Sequence, residues 1–202
     1  MKRLLLSLPL LCLCTLVQAK VVMPRFFADG MVLQQQTECR LWGTATPGAP
    51  LVVTASWTHG KWKSRVNADG SFSITITTPT AGGPFTISID DGEKTMLSNV
   101  LVGEVWICSG QSNMEMPMKG FKMQPVEGTT EELLRCKDAK MRLFTVKRHA
   151  AITPQTDVEG EWSEANSESV RNFSATAYYF GRALRQQLDV PVGLIVTAWG
   201  GS

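Results

Sequence analysis

The chain has 202 residues, of which 20 are Lys or Arg, 18 are Asp or Glu and two are His, and its formal net charge is +2. This near-neutral balance provides no bulk electrostatic attraction to nucleic acids or anionic membranes, and we expect neither as a partner. Hydrophobic residues make up 44% of the sequence, and the length suits one large globular domain or two small ones.

Residues 1–19 have the pattern of a secretory signal peptide. Lys2 and Arg3 form a basic start, residues 4–17 are an apolar run, and Val17-Gln18-Ala19 resembles a cleavage site. The run is shorter than the roughly 20 residues that a membrane-spanning helix needs. We therefore predict a cleaved signal and a secreted or periplasmic protein without stable membrane insertion; an uncleaved anchor is the alternative.

Three cysteines follow this segment, Cys39, Cys108 and Cys136. Such a small, odd number does not suit a disulfide scaffold and leaves at least one thiol unpaired. Cys108 lies in an apolar run and is predicted to be a small core residue. A bridge between Cys39 and Cys136 stays open at this point.

Residues 20–99 have the pattern of an all-β domain. Apolar and polar residues alternate over positions 51–57, 71–76 and 85–90, which is typical of strands with one buried face. Asp69-Gly70 and Asp91-Gly92 lie at the ends of these segments, where Asp-Gly supplies the positive φ of a tight turn. The regular spacing predicts an antiparallel sandwich.

The pattern changes at about residue 100. Residues 100–102 and 105–108 are continuous apolar runs, as expected of strands covered on both faces, and residues 143–146 and 192–196 are further predicted strands. A helix is predicted from Ser174, whose side chain can cap the first turn, to Leu188. Its expected buried face carries Phe173, Ala177, Phe180, Leu184 and Leu188.

This order of elements predicts an α/β domain with a parallel sheet over residues 100–202. The sequence stops at Gly200-Gly201-Ser202, directly after a predicted strand. We therefore expect this domain to be incomplete and the chain to be a piece of a longer protein.

Two loops follow the predicted parallel strands, Gly110-Gln111-Ser112-Asn113 and Gly200-Gly201. The carboxyl ends of parallel strands meet at one edge of a sheet, and glycines allow backbone N–H groups to approach an anion closely. A serine hydroxyl beside such donors suits acyl transfer, in which Oγ attacks and the N–H groups stabilise the oxyanion. Since a single serine after a strand is also common in ordinary turns, the spacing alone leaves both interpretations open.

Several segments together resemble the sialate O-acetylesterase family, a branch of the SGNH hydrolases. The similar segments are FADGMVLQ (27–34), LWGTA (41–45), Pro47-Gly48, VGEVW (102–106), GQSNM (110–114), FSATAYYF (173–180), PVGLI (191–195) and WGGS (199–202). Ser202 stands where threonine is expected. The resemblance implies an N-terminal all-β antiparallel sandwich (20–99) followed by an incomplete SGNH/flavodoxin-like α/β esterase domain (100–202).

The resemblance also implies an activity, a secreted serine esterase that removes O-acetyl groups from sialic acid or a related acetylated glycan. Ser112 is the implied nucleophile, and its own N–H and that of Gly200 or Gly201 are the implied oxyanion donors. Gln111 and Asn113 are expected to brace the loop or to contact substrate. No Cys/His cluster has zinc spacing and no glycine-rich loop is followed by Lys for phosphate, so we expect no cofactor.

The sequence contains no recognisable general base for Ser112. In the family an Asp-x-x-His block supplies it, and neither His59 nor His149 has an aspartate three positions before it. We predict that both histidines are surface residues and that Glu115 is a solvated or loop-bracing carboxylate rather than a base. A serine without a base is a poor nucleophile, so these 202 residues alone are predicted to be nearly inactive even though the full-length protein is an esterase.

Two other readings of the sequence remain open. The first is a noncatalytic carbohydrate-binding module, built on the β-sandwich, in which Trp42, Trp57 or Trp62 stacks on sugar rings. The second is an inactive truncated product with an unfinished sheet edge.

Overall fold

The computed structural model describes residues 20–201; the predicted signal (1–19) and Ser202 lie outside the described residues. Within this range the chain is mostly β. The strands are β1 (Val32–Gln34), β2 (Glu38–Thr44), β3 (Pro50–Ala55), β4 (Lys61–Arg65), β5 (Ser71–Thr77), β6 (Gly82–Asp90), β7 (Lys94–Cys108), β8 (Asp138–Thr145), β9 (Trp162–Ala165) and β10 (Val192–Val196). The helices are α1 (Ser112–Glu115), α2 (Thr129–Arg135), α3 (Ser167–Asn172) and α4 (Ala175–Leu188).

Eight of the strands form one mixed sheet. Its order is β4-β3-β6-β7-β10-β8-β9, and β1 also pairs with β7. The pairs β1–β7, β7–β10 and β8–β10 are parallel, whereas β3–β4, β3–β6, β6–β7 and β8–β9 are antiparallel. β1 lies in the region predicted to be purely antiparallel, but it pairs in parallel with residues 101–103 of β7.

The first half of the chain has its own core. The burial pattern of β5 alternates strictly, which confirms the predicted strand at residues 71–76. β2 and β5 pair with each other in a second, two-stranded sheet, and their inward side chains share a core with those of β3 and β6. The central members of this core are Leu41, Leu51, Val53, Phe72, Ile74, Ile76, Ile87 and Ile89.

A second core lies between α4 and the parallel strands. α4 begins at the predicted cap, where Ser174 Oγ accepts a hydrogen bond from the Ala177 N–H at 3.1 Å. Gly181 faces β10 so closely that a Cβ there would lie 2.5 Å from Leu194 Cδ1. This close approach explains a glycine inside a helix, a position that costs about 1 kcal/mol relative to alanine.

The buried face of α4 differs from the predicted one. Ala177, Tyr178 and Gly181 are buried, whereas Phe180 and Leu188 are exposed. The face of α4 that packs on the sheet includes Gly181, because a residue without a side chain lets the helix axis approach the sheet most closely. The predicted buried face of α4 was therefore wrong at two of its five positions.

β7 also differs from expectation. The two predicted runs, 100–102 and 105–108, belong to one strand of 15 residues. Ile107 is 71% exposed and Trp106 is 43% exposed, so this part of β7 is not covered on both faces. Among the residues described, positions 104–108 of β7 pair with β10, and no other strand pairs with them.

β7 joins the two halves of the chain. It pairs with β6 through residues 94–102 and with β10 through residues 104–108. The predicted domain boundary at residues 99 and 100 falls inside this strand, and the division into two domains stays a prediction.

Buried Arg142 of β8 makes a second link between the halves. Its guanidinium donates to Asn99 Oδ1 at 3.0 Å and to Gly30 O at 3.4 Å, and it forms an ion pair with Glu164 at 3.2 Å. The charge is thus paired, as burial of a guanidinium requires.

The three described cysteines are free thiols, so the open alternative of a Cys39–Cys136 bridge is not realised. Cys39 packs against the first core, whereas Cys108 and Cys136 belong to the second. Burial raises the thiol pKa of all three. In residues 20–201 we find no helix with the length and apolar character that a membrane crossing requires.

Candidate active site

Ser112 is the first residue of α1, just beyond the carboxyl end of β7. The chain leaves β7 at Cys108 and passes through Gly110, and Ser112 O then accepts the Met116 N–H at 2.9 Å to close the short helix. The side chains of Gln111, Ser112 and Asn113 are all exposed. The predicted nucleophile is therefore presented to solvent at the edge of the parallel strands.

The start of α4 fixes α1 in place. Thr176 Oγ1 donates to Asn113 O at 3.1 Å, and the Ala175 N–H donates to Met116 O at 2.9 Å. The backbone of Asn113 thus contributes to bracing the serine loop, one of the two roles expected of this residue.

The loop after β10 runs beside the serine loop. The Thr197 N–H donates to Cys108 O, and the Trp199 N–H donates to Gly110 O, both at 3.0 Å. These bonds continue the contact between β7 and β10 beyond the ends of the two strands. As predicted, the two loops meet at one edge of the sheet.

Gly200 lies directly against Ser112. A Cβ at Gly200 would be 3.0 Å from Ser112 Oγ and 2.5 Å from Glu115 Oε2. A side chain at this position therefore requires the Glu115 carboxylate to move, and the nearest backbone atom, Ser112 Cα, would be 3.5 Å away. Gly201 adopts a φ of +82° and has open space where a Cβ would be, so its positive φ rather than a close neighbour requires glycine.

Glu115 joins the two loops. Its Oε2 accepts the Gly200 N–H at 2.7 Å, and its Oε1 pairs with Arg148 Nη1 at 2.8 Å. This contact agrees with the loop-bracing role considered for Glu115. It also means that the Gly200 N–H, one of the two predicted oxyanion donors of this loop, is already hydrogen-bonded to a carboxylate.

Arg148 is a residue of this site that the sequence analysis did not find. It follows β8 and is 33 positions from Glu115, on a separate element, and no local pattern in the sequence indicates the pair. Only the tertiary arrangement of β7, β8 and β10 brings the two side chains together.

A cleft of about 470 Å³ opens beside the serine loop. It is bounded by the segment after α1, the end of β8 and the end of β10, and Glu115, Phe121 and Arg148 are among the lining residues. Its size falls within the range of sites for small molecules.

The two histidines lie elsewhere on the surface. His59 is exposed in the turn between β3 and β4, and His149 is exposed beside a different cleft of about 400 Å³. Within residues 20–201, no hydrogen bond connects either histidine with Ser112. The predicted surface positions of both histidines are therefore confirmed.

Metal ligands and tryptophans bear on the other kinds of site that the sequence leaves open. The described part of the chain has no group of three or more His, Cys, Asp or Glu side chains that could hold a metal ion. Trp42, Trp57 and Trp62, the candidate sugar-stacking residues, are half-buried and pack against the first core.

No family model matches the chain, but individual proteins similar to it are acetylesterases. The sialate O-acetylesterase of Homo sapiens is 31% identical over 195 positions, which cover 88% of this chain and 36% of the relative. That of Mus musculus is 30% identical over 190 positions, which cover 85% of this chain and 34% of the relative. The chain thus spans about a third of the length of these curated relatives.

A solved structure shares the fold. The crystal structure of a carbohydrate acetylesterase from Xanthomonas citri superposes with a TM-score of 0.84 at 30% sequence identity. The match covers 91% of this chain and 41% of that chain. Nearly all the described residues therefore have a structural counterpart in an acetylesterase.

Proposed function

Because this chain belongs to a sialate O-acetylesterase-like family, we propose that it carries the nucleophile of a serine esterase acting on O-acetyl groups of sialic acid or a related glycan. The observation that supports this most directly is the meeting of the two loops. Gly200 is so close to Ser112 that a Cβ there would lie 3.0 Å from Oγ. A hydroxyl packed on a glycine backbone at the carboxyl edge of parallel strands is an arrangement suited to acyl transfer.

In the proposed reaction Ser112 Oγ attacks the acetyl carbonyl carbon and the sugar hydroxyl leaves with a proton. Water then hydrolyses the acetyl-serine and releases acetate. The oxyanion accepts hydrogen bonds from the Ser112 N–H and from the glycine loop. Because Glu115 occupies the Gly200 N–H, Gly201 is our candidate for the loop's donor. Gln111 and Asn113 brace the loop or contact the sugar.

A base must take the proton from Ser112. We propose that an Asp-x-x-His segment of the intact gene product supplies it, since no such pattern occurs in the 202 residues. On this proposal residues 20–99 form the β-sandwich domain and residues 100–202 the first part of the SGNH-type domain. Residues 1–19 are its secretory signal, and the secreted form starts at Lys20.

The test is acetyl release from O-acetylated sialic acid and from p-nitrophenyl acetate by the intact gene product. Ser112→Ala should lower kcat by about 1,000-fold or more, because only the oxyanion hole and substrate binding remain. Ser109→Ala, which removes an exposed hydroxyl three positions earlier, is the matched control and should retain full activity. A fluorophosphonate should modify Ser112 alone.

Full activity of the Ser112→Ala variant, or a fluorophosphonate adduct at another residue, would overturn the assignment. The 202-residue chain assayed by itself tests the missing base. We expect only residual turnover, and turnover near that of the intact protein would refute that part of the proposal.

A further inference from the structure

We propose that Glu115, held by Arg148, is a positioning residue that sets the glycine loop at the correct depth against Ser112. The inference rests on the proposed esterase function and adds a residue to its machinery. It concerns neither the nucleophile nor the base, since Glu115 acts through the backbone of Gly200.

The first argument is the place of Glu115 in the fold. Glu115 lies in α1, which follows β7; Gly200 follows β10; and Arg148 follows β8. The carboxylate thus connects the segments beyond three neighbouring parallel strands through two contacts of 2.7 and 2.8 Å. Displacement of the carboxylate removes the one contact that holds the Gly200 N–H itself.

The second argument is the tight packing at the same point. A Cβ at Gly200 would be 2.5 Å from Glu115 Oε2 and 3.5 Å from Ser112 Cα. The Gly200 backbone is therefore packed between the nucleophile and the carboxylate. The hydrogen bond to a charged acceptor fixes the distance between the two loops more firmly than a neutral acceptor would.

The third argument concerns which step the contact affects. Both carboxylate oxygens of Glu115 are engaged, one by Arg148 and one by Gly200, so neither is directed at Ser112 as a base. A shift of about 1 Å in a positioned group can cost about 100-fold in rate. Because oxyanion donors act mainly in the transition state, the loss should appear in kcat rather than in KM.

The experiment compares Glu115→Ala, Glu115→Gln and Arg148→Met in the intact gene product. We expect Glu115→Ala to lower kcat by about 10- to 100-fold with KM changed less than about twofold. Glu115→Gln keeps an oxygen that accepts the Gly200 N–H but loses the charge that Arg148 binds, so its kcat should lie between those of wild type and Glu115→Ala. Arg148→Met should resemble Glu115→Gln.

The matched control is Glu159→Gln, which removes the carboxylate of an exposed pair with Lys147 in the same neighbourhood. Its kcat and KM should equal those of wild type. Thermal unfolding of each variant separates misplacement from misfolding, and if Glu115→Ala fails to fold, Glu115→Gln and Arg148→Met still test the proposal.

Three results would overturn the inference while Ser112→Ala remains inactive. They are an unchanged kcat in Glu115→Ala, an effect confined to KM, and loss of the acid limb of the pH–rate profile in Glu115→Gln, which would identify a base. If Ser112→Ala itself stays active, the proposed function fails instead, so the two failures are distinguishable.

Discussion

Two glutamates bound by arginine lie at opposite ends of the parallel strands, and they differ in burial. Glu132 of α2 is 2% exposed and accepts hydrogen bonds from Tyr178 Oη at 2.9 Å, from Arg135 at 3.1 Å and from Arg182. Glu132 lines a cleft whose walls include the start of β8. Glu115 is 21% exposed and lies in a cleft that includes the end of β8.

The partners of the two carboxylates differ as well. Glu132 is bound only by side chains, and it ties α2 to α4. Burial disfavours its ionised form, but the hydrogen bonds from Arg182, Tyr178 and Arg135 outweigh that effect and hold the pKa of Glu132 below its usual value. Burial and the hydrogen bond to Glu132 in turn raise the pKa of Tyr178.

Glu115 instead binds one backbone N–H and one exposed guanidinium beside the candidate nucleophile. A carboxylate paired with a guanidinium thus has a different role at each of the two sites. A buried, fully bonded carboxylate contributes to stability, whereas a partly exposed one between two loops is suited to positioning. Measuring thermal stability and catalytic activity separately in variants of the two glutamates tests this difference.

The largest expected effect is on stability, from Glu132→Ala. The substitution removes three hydrogen bonds to a charged acceptor that is 2% exposed and leaves the buried Tyr178 hydroxyl without this acceptor, at a cost of about 3–5 kcal/mol in all. For a chain of this size we expect a Tm lower by roughly 10 °C. Thermal unfolding followed by circular dichroism would measure it.

Glu115→Ala is the counterpart in the same measurement. Its ion-pair partner Arg148 is 55% exposed, and a pair with such a solvated arginine contributes about 1 kcal/mol or less, so the Tm of Glu115→Ala should stay within roughly 4 °C of wild type. Equal losses of Tm in the two variants would contradict the distinction between the two glutamates.

The next effect is on activity, from Gly200→Ala. Its methyl group would overlap Glu115 Oε2 and press on Ser112 Oγ, so the Glu115 carboxylate must move from its place beside the Gly200 N–H. We expect kcat of the intact gene product to fall by about 100-fold. Gly60→Ala, in the exposed turn between β3 and β4, is the control and should be unchanged; a fully active Gly200→Ala would show that the loop contact does not matter.

Much of this arrangement follows from sequence periodicity. The alternating patterns located β3, β5 and β6, and Ser174 correctly marked the start of α4. The pairing of the serine loop with the glycine loop was also predictable, because parallel strands direct their carboxyl ends to one edge. These features depend on local pattern and on general rules of sheet geometry.

Other features depend on tertiary contacts that no local pattern encodes. β4, with sequence KWKSR, has no apolar face to recognise, and it forms because β3 offers it an edge. The apolar runs at 100–102 and 105–108 indicated two strands, but backbone pairing continues through Gly103. The contact of Glu115 with Arg148 and that of Glu132 with Arg182 join residues that are far apart in sequence.

A smaller effect is expected in the acid dependence of stability. The pKa of Glu132 is lowered in the folded state. Its ionised carboxylate therefore contributes fully to the free energy of unfolding above the unfolded-state pKa of about 4.3, and this contribution is lost as pH falls through the folded-state pKa. The stability difference between wild type and Glu132→Gln should therefore be largest near neutral pH and should shrink in acid.

Urea unfolding at neutral pH and near pH 3 would measure this difference, with Glu159→Gln as the control for a general loss of acidic groups. A difference that stays constant with pH would show that the carboxylate of Glu132 contributes by packing rather than by charge.

The smallest expected effect separates the two arginines of the Glu132 network. Arg135 is 69% exposed, whereas Arg182 is 34% exposed and also stacks over the Tyr179 ring at 4.8 Å. Arg135→Met should cost less than about 1 kcal/mol, because solvent screens an exposed charge. Arg182→Met should cost more, since it removes both the more buried partner of Glu132 and a cation–π contact. If both substitutions cost the same in urea unfolding, burial of Glu132 alone, and not that of its partners, determines how much the network stabilises the protein.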